Sequence, residues 1–206
     1  MTVGEMAISG EVSARLIKGH VQAPLSWKIR NSLRPSFISG LLGYKAAQTL
    51  SNLTGIPTLV ADLRAVKIDG RTGQRIDYGV VSRKLVTTAF VNFLVDMLQV
   101  DTTEIGDFKF HDSGVGTTAE NAGDTGIETT DGESRATGSQ TEGASANIYK
   151  SVGTIAYTTT KAITEHGVFS QSTGGTLMDR SVFTAINVVN GDQIEFTYSL
   201  TASSGG

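Results

Sequence analysis

Residues able to do chemistry are few in this chain. His20, His111 and His166 are its only imidazoles, and its 206 residues include no cysteine. Disulfides, thiolate zinc sites and cysteine nucleophiles are therefore excluded. His111-Asp112 and Glu165-His166 each set an acid beside a histidine. Neighbours along a strand point to opposite faces, so neither pair reads as a catalytic couple. No G-x-S-x-G nucleophile elbow is present. Gly114-Val115-Gly116 has no strand–turn–helix context and no lysine in a G-K-[ST] arrangement, which argues against a phosphate-binding loop. Asp124, Glu128, Asp131 and Glu133 crowd one Gly/Thr-rich stretch. Such oxygen ligands suit Ca²⁺, but the spacing is not that of an EF-hand, and the reading is a solvated acidic loop. A glycosidase needs two opposed carboxylates, and no two acids stand out. The expectation is a non-enzymatic protein with no catalytic residues, no cofactor and no metal.

The elements around these residues follow from periodicity. Arg34-Pro35-Ser36 opens a segment in which Ile38, Leu42, Ala46, Leu50 and Leu53 recur at helical steps. Proline suits a first helical turn, so a helix is expected over about 36–53, ended by Gly55-Ile56-Pro57, although Gly40 and Gly43 weaken it. Leu63 to Ile68 and Gln74 to Val81 flank Asp69-Gly70-Arg71-Thr72-Gly73 and predict a hairpin. Thr87 to Gln99 predicts a core helix with Thr87 as N-cap and a narrow polar stripe of Thr88, Asn92, Asp96 and Gln99. Beyond it, alternation predicts strands over 148–157, 162–169, 176–179, 181–185 and 193–201. The last is the cleanest, with Ile194, Phe196, Tyr198 and Leu200 on one face. The stretch Asp112 to Gly143 has almost no large apolar residue, and reads as a surface loop or one ordered by a neighbouring subunit.

Charge divides the chain in the same place as texture. The net charge of -3 is +6 over residues 1–100 and -9 over 101–206. The second half is rich in Gly, Thr and Ser, as short strands and tight turns require. The reading is mainly β with minor α: an extended basic N-terminal arm over 1–33, a helix–hairpin–helix segment over 34–104, and an antiparallel β-sandwich or jelly-roll-like module over 105–206. Arg15, Lys18, Lys28, Arg30 and Arg34, with no acid among them from Ala14 to Arg34, are the candidate contacts to an acidic partner surface. No run of about 18 apolar residues predicts a membrane span, and no secretory signal is readable. Nucleic-acid motifs are absent, so DNA or RNA is not an expected partner.

The second half also resembles a group of tailed-phage structural proteins. Gly116-Thr117-Thr118-Ala119-Glu120 followed by Gly123-Asp124-Thr125 is similar to their "GTGTTAEAxGDTAL" stretch, and Ser134-Arg135-Ala136-Thr137-Gly138 to their "ESRATGT". Ala162 to Phe169 resembles "AITExGLF", Gly175 to Phe183 resembles "GTLxDRSVF", and Asn190 to Tyr198 resembles "SGDSIQFTY". The resemblance covers residues 106–202 and brings no catalytic residues. It implies a β-module on a virion, made in the host cytoplasm. The leading expectation is a capsid decoration (cement) protein, bound to the major capsid protein and to itself, most simply as a trimer. A tail-fibre base or host-recognition module is the alternative, and a neck or connector component the second alternative. Asp179-Arg180 is expected to link strand ends as a charge pair.

Overall fold

A computed structural model describes residues 20–54, 56–98 and 108–203. Strands account for 44% of the described residues and helices for 22%, so the protein is mainly β with minor α. The order is β1 (His20–Gln22), α1 (Leu25–Ser32), α2 (Pro35–Thr54), β2 (Thr58–Ile68), β3 (Arg75–Leu85) and α3 (Thr88–Leu98). There follow β4 (Phe110–Gly114), β5 (Ala136–Thr137), β6 (Ser139–Glu142), β7 (Ile148–Ala156), β8 (Lys161–Phe169), β9 (Leu177–Val188) and β10 (Gln193–Ser203).

Two sheets form. The larger runs β1-β3-β2-β10-β7-β6, the smaller β5-β4-β8-β9. All pairings are antiparallel except β1 with β3. Their facing side chains make the core: Ala65, Ile155, Ile194 and Phe196 from one sheet, Ile163, Val168, Phe183 and Ile186 from the other. On β10 the expected alternation is realised, with Ile194, Phe196 and Tyr198 fully buried.

The expected division near residue 100 does not separate the strands. β2 of the first half pairs along its whole length with β10 of the second, from Thr58↔Ser203 to Ile68↔Gln193. The 69–73 turn is seated on the second half as well: the Gly70 amide donates to Asp192 Oδ1 at 2.8 Å. Composition changes at residue 101 because tight turns concentrate there, not because a core ends.

Residues 20–33 differ from the extended arm expected of them. β1 joins the edge of the large sheet, and α1 lies across the seam between the two sheets. Trp27 is buried and donates its indole N–H to the Ala185 carbonyl at 2.8 Å. Asn31 donates to the Val81 carbonyl on β3 and accepts from the Thr184 amide on β9. Only Trp27 and Asn31 of α1 are buried, too few for an apolar period to show in the sequence.

Two strands expected at 176–179 and 181–185 are one continuous strand, β9. Leu177 to Phe183 are buried without alternation, because β9 is covered on both faces. Alternation marks a strand with one wet face, and it disappears under two-sided burial.

Candidate functional site

The polar interior is built from β4, β8 and β9. Antiparallel register sets Ser113 opposite His166 and His111 opposite Val168. The two histidines thus sit diagonally on the core-facing side, and His111 Nδ1 lies 3.0 Å from His166 Nε2. His111 Nε2 is 2.8 Å from Ser151 Oγ on β7, and the His166 ring packs on Phe196 with centroids 4.3 Å apart. His111 fits because β7 carries Gly153 there; a Cβ at that position would come within 2.4 Å of the imidazole. Burial lowers the His111 pKa to about 4 and holds His166 well below its ordinary value, the nearby His111 and Lys84 adding to the effect. Neither ring reaches solvent. The pair is a neutral hydrogen-bonded spacer between the sheets. Each adjacent acid does turn away: Asp112 pairs with Arg135, and Glu165 with Arg180.

Glu165 organises the long polar segment. Its carboxylate is fully buried and accepts four hydrogen bonds: from the Gly116, Glu128 and Thr129 amides at 2.9, 3.1 and 2.8 Å, and from Arg180 Nε at 2.8 Å. Arg180 also donates to Asp124 and Glu128, each at 3.0 Å. The segment 112–143 cannot bury apolar groups of its own, so its backbone amides fold onto a charge supplied by β8. Gly116 is required for this approach, since a Cβ there would lie 2.5 Å from Glu165 Oε1. Arg135 closes the other end, stacking on Phe169 and donating to Asp112 and to the Gln171 and Gly174 carbonyls.

The acids once considered for Ca²⁺ therefore serve separate partners. Asp124 and Glu128 hold Arg180, Asp131 accepts from Ser113, and Glu133 pairs with Lys161. Among the described residues no three His, Asp or Glu side chains gather as a metal site requires. Asp179 and Arg180 do not pair with each other, contrary to expectation. Asp179 turns to Lys84 and Arg180 to Glu165.

At the surface, the two N-terminal helices present apolar stripes outward. On α2, Ile38, Leu42, Leu50 and Leu53 fall within about 120° of arc at 100° per residue, and they are 42, 65, 50 and 78% exposed. The opposite face meets the sheet. Ser51 is fully buried, and Gly40 lies so close to β3 that a Cβ would sit 2.3 Å from the Arg83 carbonyl. The glycine that weakened the helix in sequence is the one that lets it dock. Leu25 and Ile29 of α1 and Leu33, which caps its C-terminus, recur every fourth residue and are also exposed.

Of the candidate contact residues, Arg15 and Lys18 lie outside the described residues. Lys28 and Arg30 are on α1; Lys28 donates to Gln22 at 2.6 Å, and Arg30 is exposed. Arg34, at the α1–α2 joint, turns inward and donates to the Phe183 carbonyl at 2.5 Å, so it is a structural tie. The apolar stripes were missed as a surface because periodicity reveals an apolar face without saying what covers it. A scan against protein-family models gives no match to this chain, and a search of curated proteins finds no relative.

Proposed function

We propose that the protein is a non-enzymatic structural component of a tailed-phage virion, a capsid decoration protein that binds the major capsid protein and further copies of itself. The observation that carries this reading is the outward apolar stripe of α2, continued in kind on α1. Large apolar side chains exposed along one face of a helix suit an interface. Lys28 and Arg30 stand beside the α1 stripe, so the surface combines an apolar centre with a basic border, a pattern suited to an acidic scaffold. The resemblance over residues 106–202 supports the virion as the setting. Its motifs have a structural use: Gly116, Thr118, Asp124, Glu165 and Arg180 meet in the single ion cluster that folds the long loop.

The test is assembly. Wild-type chain is expected to sediment as an oligomer or to load onto capsids lacking it, at hundreds of copies per particle. Leu42→Glu combined with Leu53→Glu is expected to abolish both while leaving the circular-dichroism spectrum unchanged. A monomer that ignores capsids, or recovery at only six to a few dozen copies in virions, overturns the decoration reading; the latter places the chain in the tail or neck.

A further inference from the structure

A cleft of about 220 Å³ opens where α2, the end of β3, the 119–122 loop and the start of β9 meet. Three ionisable side chains converge at its floor from three separate parts of the chain. Lys84 Nζ lies 3.0 Å from Asp179 Oδ1 and 3.7 Å from Glu120 Oε1. Their side chains are only 9, 3 and 14% exposed. Buried carboxylates and ammonium groups normally satisfy every lone pair and proton. Here Lys84 Nζ, Asp179 Oδ1, Glu120 Oε2 and the Tyr198 hydroxyl are all buried without a directed hydrogen bond. The amine and the carboxyl touch as an ion pair at 3.0 Å, and neither Nζ nor Oδ1 has a further hydrogen bond of good geometry.

We propose that Lys84 and Asp179 condense into an intramolecular isopeptide bond, with Glu120 carrying the protons. The reaction joins an ammonium and a carboxylate into an amide and one water. Lys84 transfers a proton to the Asp179 carboxylate by way of Glu120, whose Oε1 lies 3.7 Å from Nζ. The neutral Nζ then attacks Asp179 Cγ, the Nζ–Cγ bond forms, and a Cγ–O bond of the tetrahedral intermediate breaks. The departing oxygen leaves as water with two of the three ammonium protons, and Glu120 ends in the state in which it began. No oxidant, metal or co-reactant is consumed.

Each requirement is met by a feature of the site. Attack needs the amine in close approach to the carboxyl carbon, and strands of different sheets hold Lys84 Nζ 3.0 Å from Oδ1, an oxygen bonded to that carbon. It needs a protonated carboxyl, and burial raises the Asp179 pKa to about 6. Burial also favours the neutral product over two desolvated charges. It needs a group beside the amine to move protons, which is the position of Glu120. The cleft gives the released water a way out. The bond would tie β3 of the large sheet to β9 of the small one, and it stands or falls independently of the particle to which the chain belongs.

The experiment is denaturing mass spectrometry of the purified full-length chain, followed by a tryptic map. The expected result is an intact mass lower than that of the sequence by one water, and a branched peptide joining Lys84 to Asp179. Asp69-Gly70 and Asp131-Gly132 could also lose water by cyclisation, so the branched peptide decides. Lys84→Arg keeps the charge without a usable nucleophile and is expected at full mass. Glu120→Gln leaves both reacting groups in place; it too is expected at full mass, with an unchanged circular-dichroism spectrum. Folded wild-type chain with Lys84 and Asp179 recovered only in linear peptides overturns the proposal. Branched peptide from the Glu120→Gln chain overturns the part given to Glu120.

Discussion

Glu165 shows how much one side chain decides in this protein. Three backbone amides and Arg180 share its carboxylate. Removing one member of a buried pair costs about 3–5 kcal/mol, because the partner is left uncompensated. Glu165→Ala is therefore expected to lower the unfolding free energy read from denaturant titration by about that amount, and to make the 115–135 segment the first site of protease cleavage. The histidine pair sets a pH dependence at the same scale. His111 titrates near 4 when folded and near 6.5 when unfolded, so the unfolded chain binds the extra proton between those values. Stability is full above about pH 6.5 and falls with acidification, by up to about 1.4 kcal/mol per pH unit for each histidine. In chain whose Asp179 carboxyl is still free, Asp179, raised to about 6, has the opposite sign: the folded state holds its proton, and stability from this group falls as pH rises from about 4 to 6, whereas chain joined to Lys84 lacks this contribution. His166, also depressed, adds to the loss on acidification, while Lys84 faces both His166 and Asp179. Unfolding measured from pH 7 to 5 is expected to show destabilisation towards acid, and His111→Asn to make the slope shallower by about one proton. A flat profile in the wild type would mean that the rings are already charged or solvated.

At the scale of elements, what could be read in the sequence depended on how many faces each element buries. The α3 helix was legible: Phe90 and Phe93 are in the core, Thr88, Asn92 and Asp96 face solvent, and the Thr87 hydroxyl accepts from the Phe90 amide as an N-cap does. β10 was legible for the same reason, a regular period with one buried side, while the hairpin was legible from its turn and only over 63–68 and 74–81, since β2 buries adjacent residues and β3 buries Asp77. β9 was not, being covered on both. The polar cluster was also hidden, because Gly116, Asp124, Glu165 and Arg180 are brought together only by strand register and loop closure. The α2 helix was found correctly and yet misleads: Ile38, Leu42, Leu50 and Leu53 look like its packing face, while Gly40 and Ser51 do the packing. A helix that turns Gly40 and Ser51 inward and its leucines outward is arranged for a second surface. That makes the α2 stripe the element whose charge-bearing variants should separate assembly from folding.

For the molecule as a whole, the consequence lies at the N-terminus. A basic arm over residues 1–33 suggested that its deletion would test partner binding alone. The fold divides that segment differently. From residue 20 onward the chain belongs to the sandwich: β1 lengthens the large sheet, and α1 bridges β3 and β9 through Asn31 while Trp27 fills the seam. Burying a tryptophan of this kind is worth about 3–5 kcal/mol on replacement by alanine, a large part of the stability of a domain. Deleting residues 1–33 should therefore lower the melting temperature sharply, and Trp27→Ala should reproduce most of that fall without touching Arg15 or Lys18. Deleting only residues 1–19 leaves β1 and α1 in place, so its melting temperature should stand well above that of the 1–33 deletion. Capsid loading by the full chain carrying Arg15→Ala and Lys18→Ala, with its melting temperature measured alongside, then reports on those two side chains. Equal melting temperatures for the two deletions would show that α1 contributes nothing to the sandwich and would restore the whole of 1–33 as an arm.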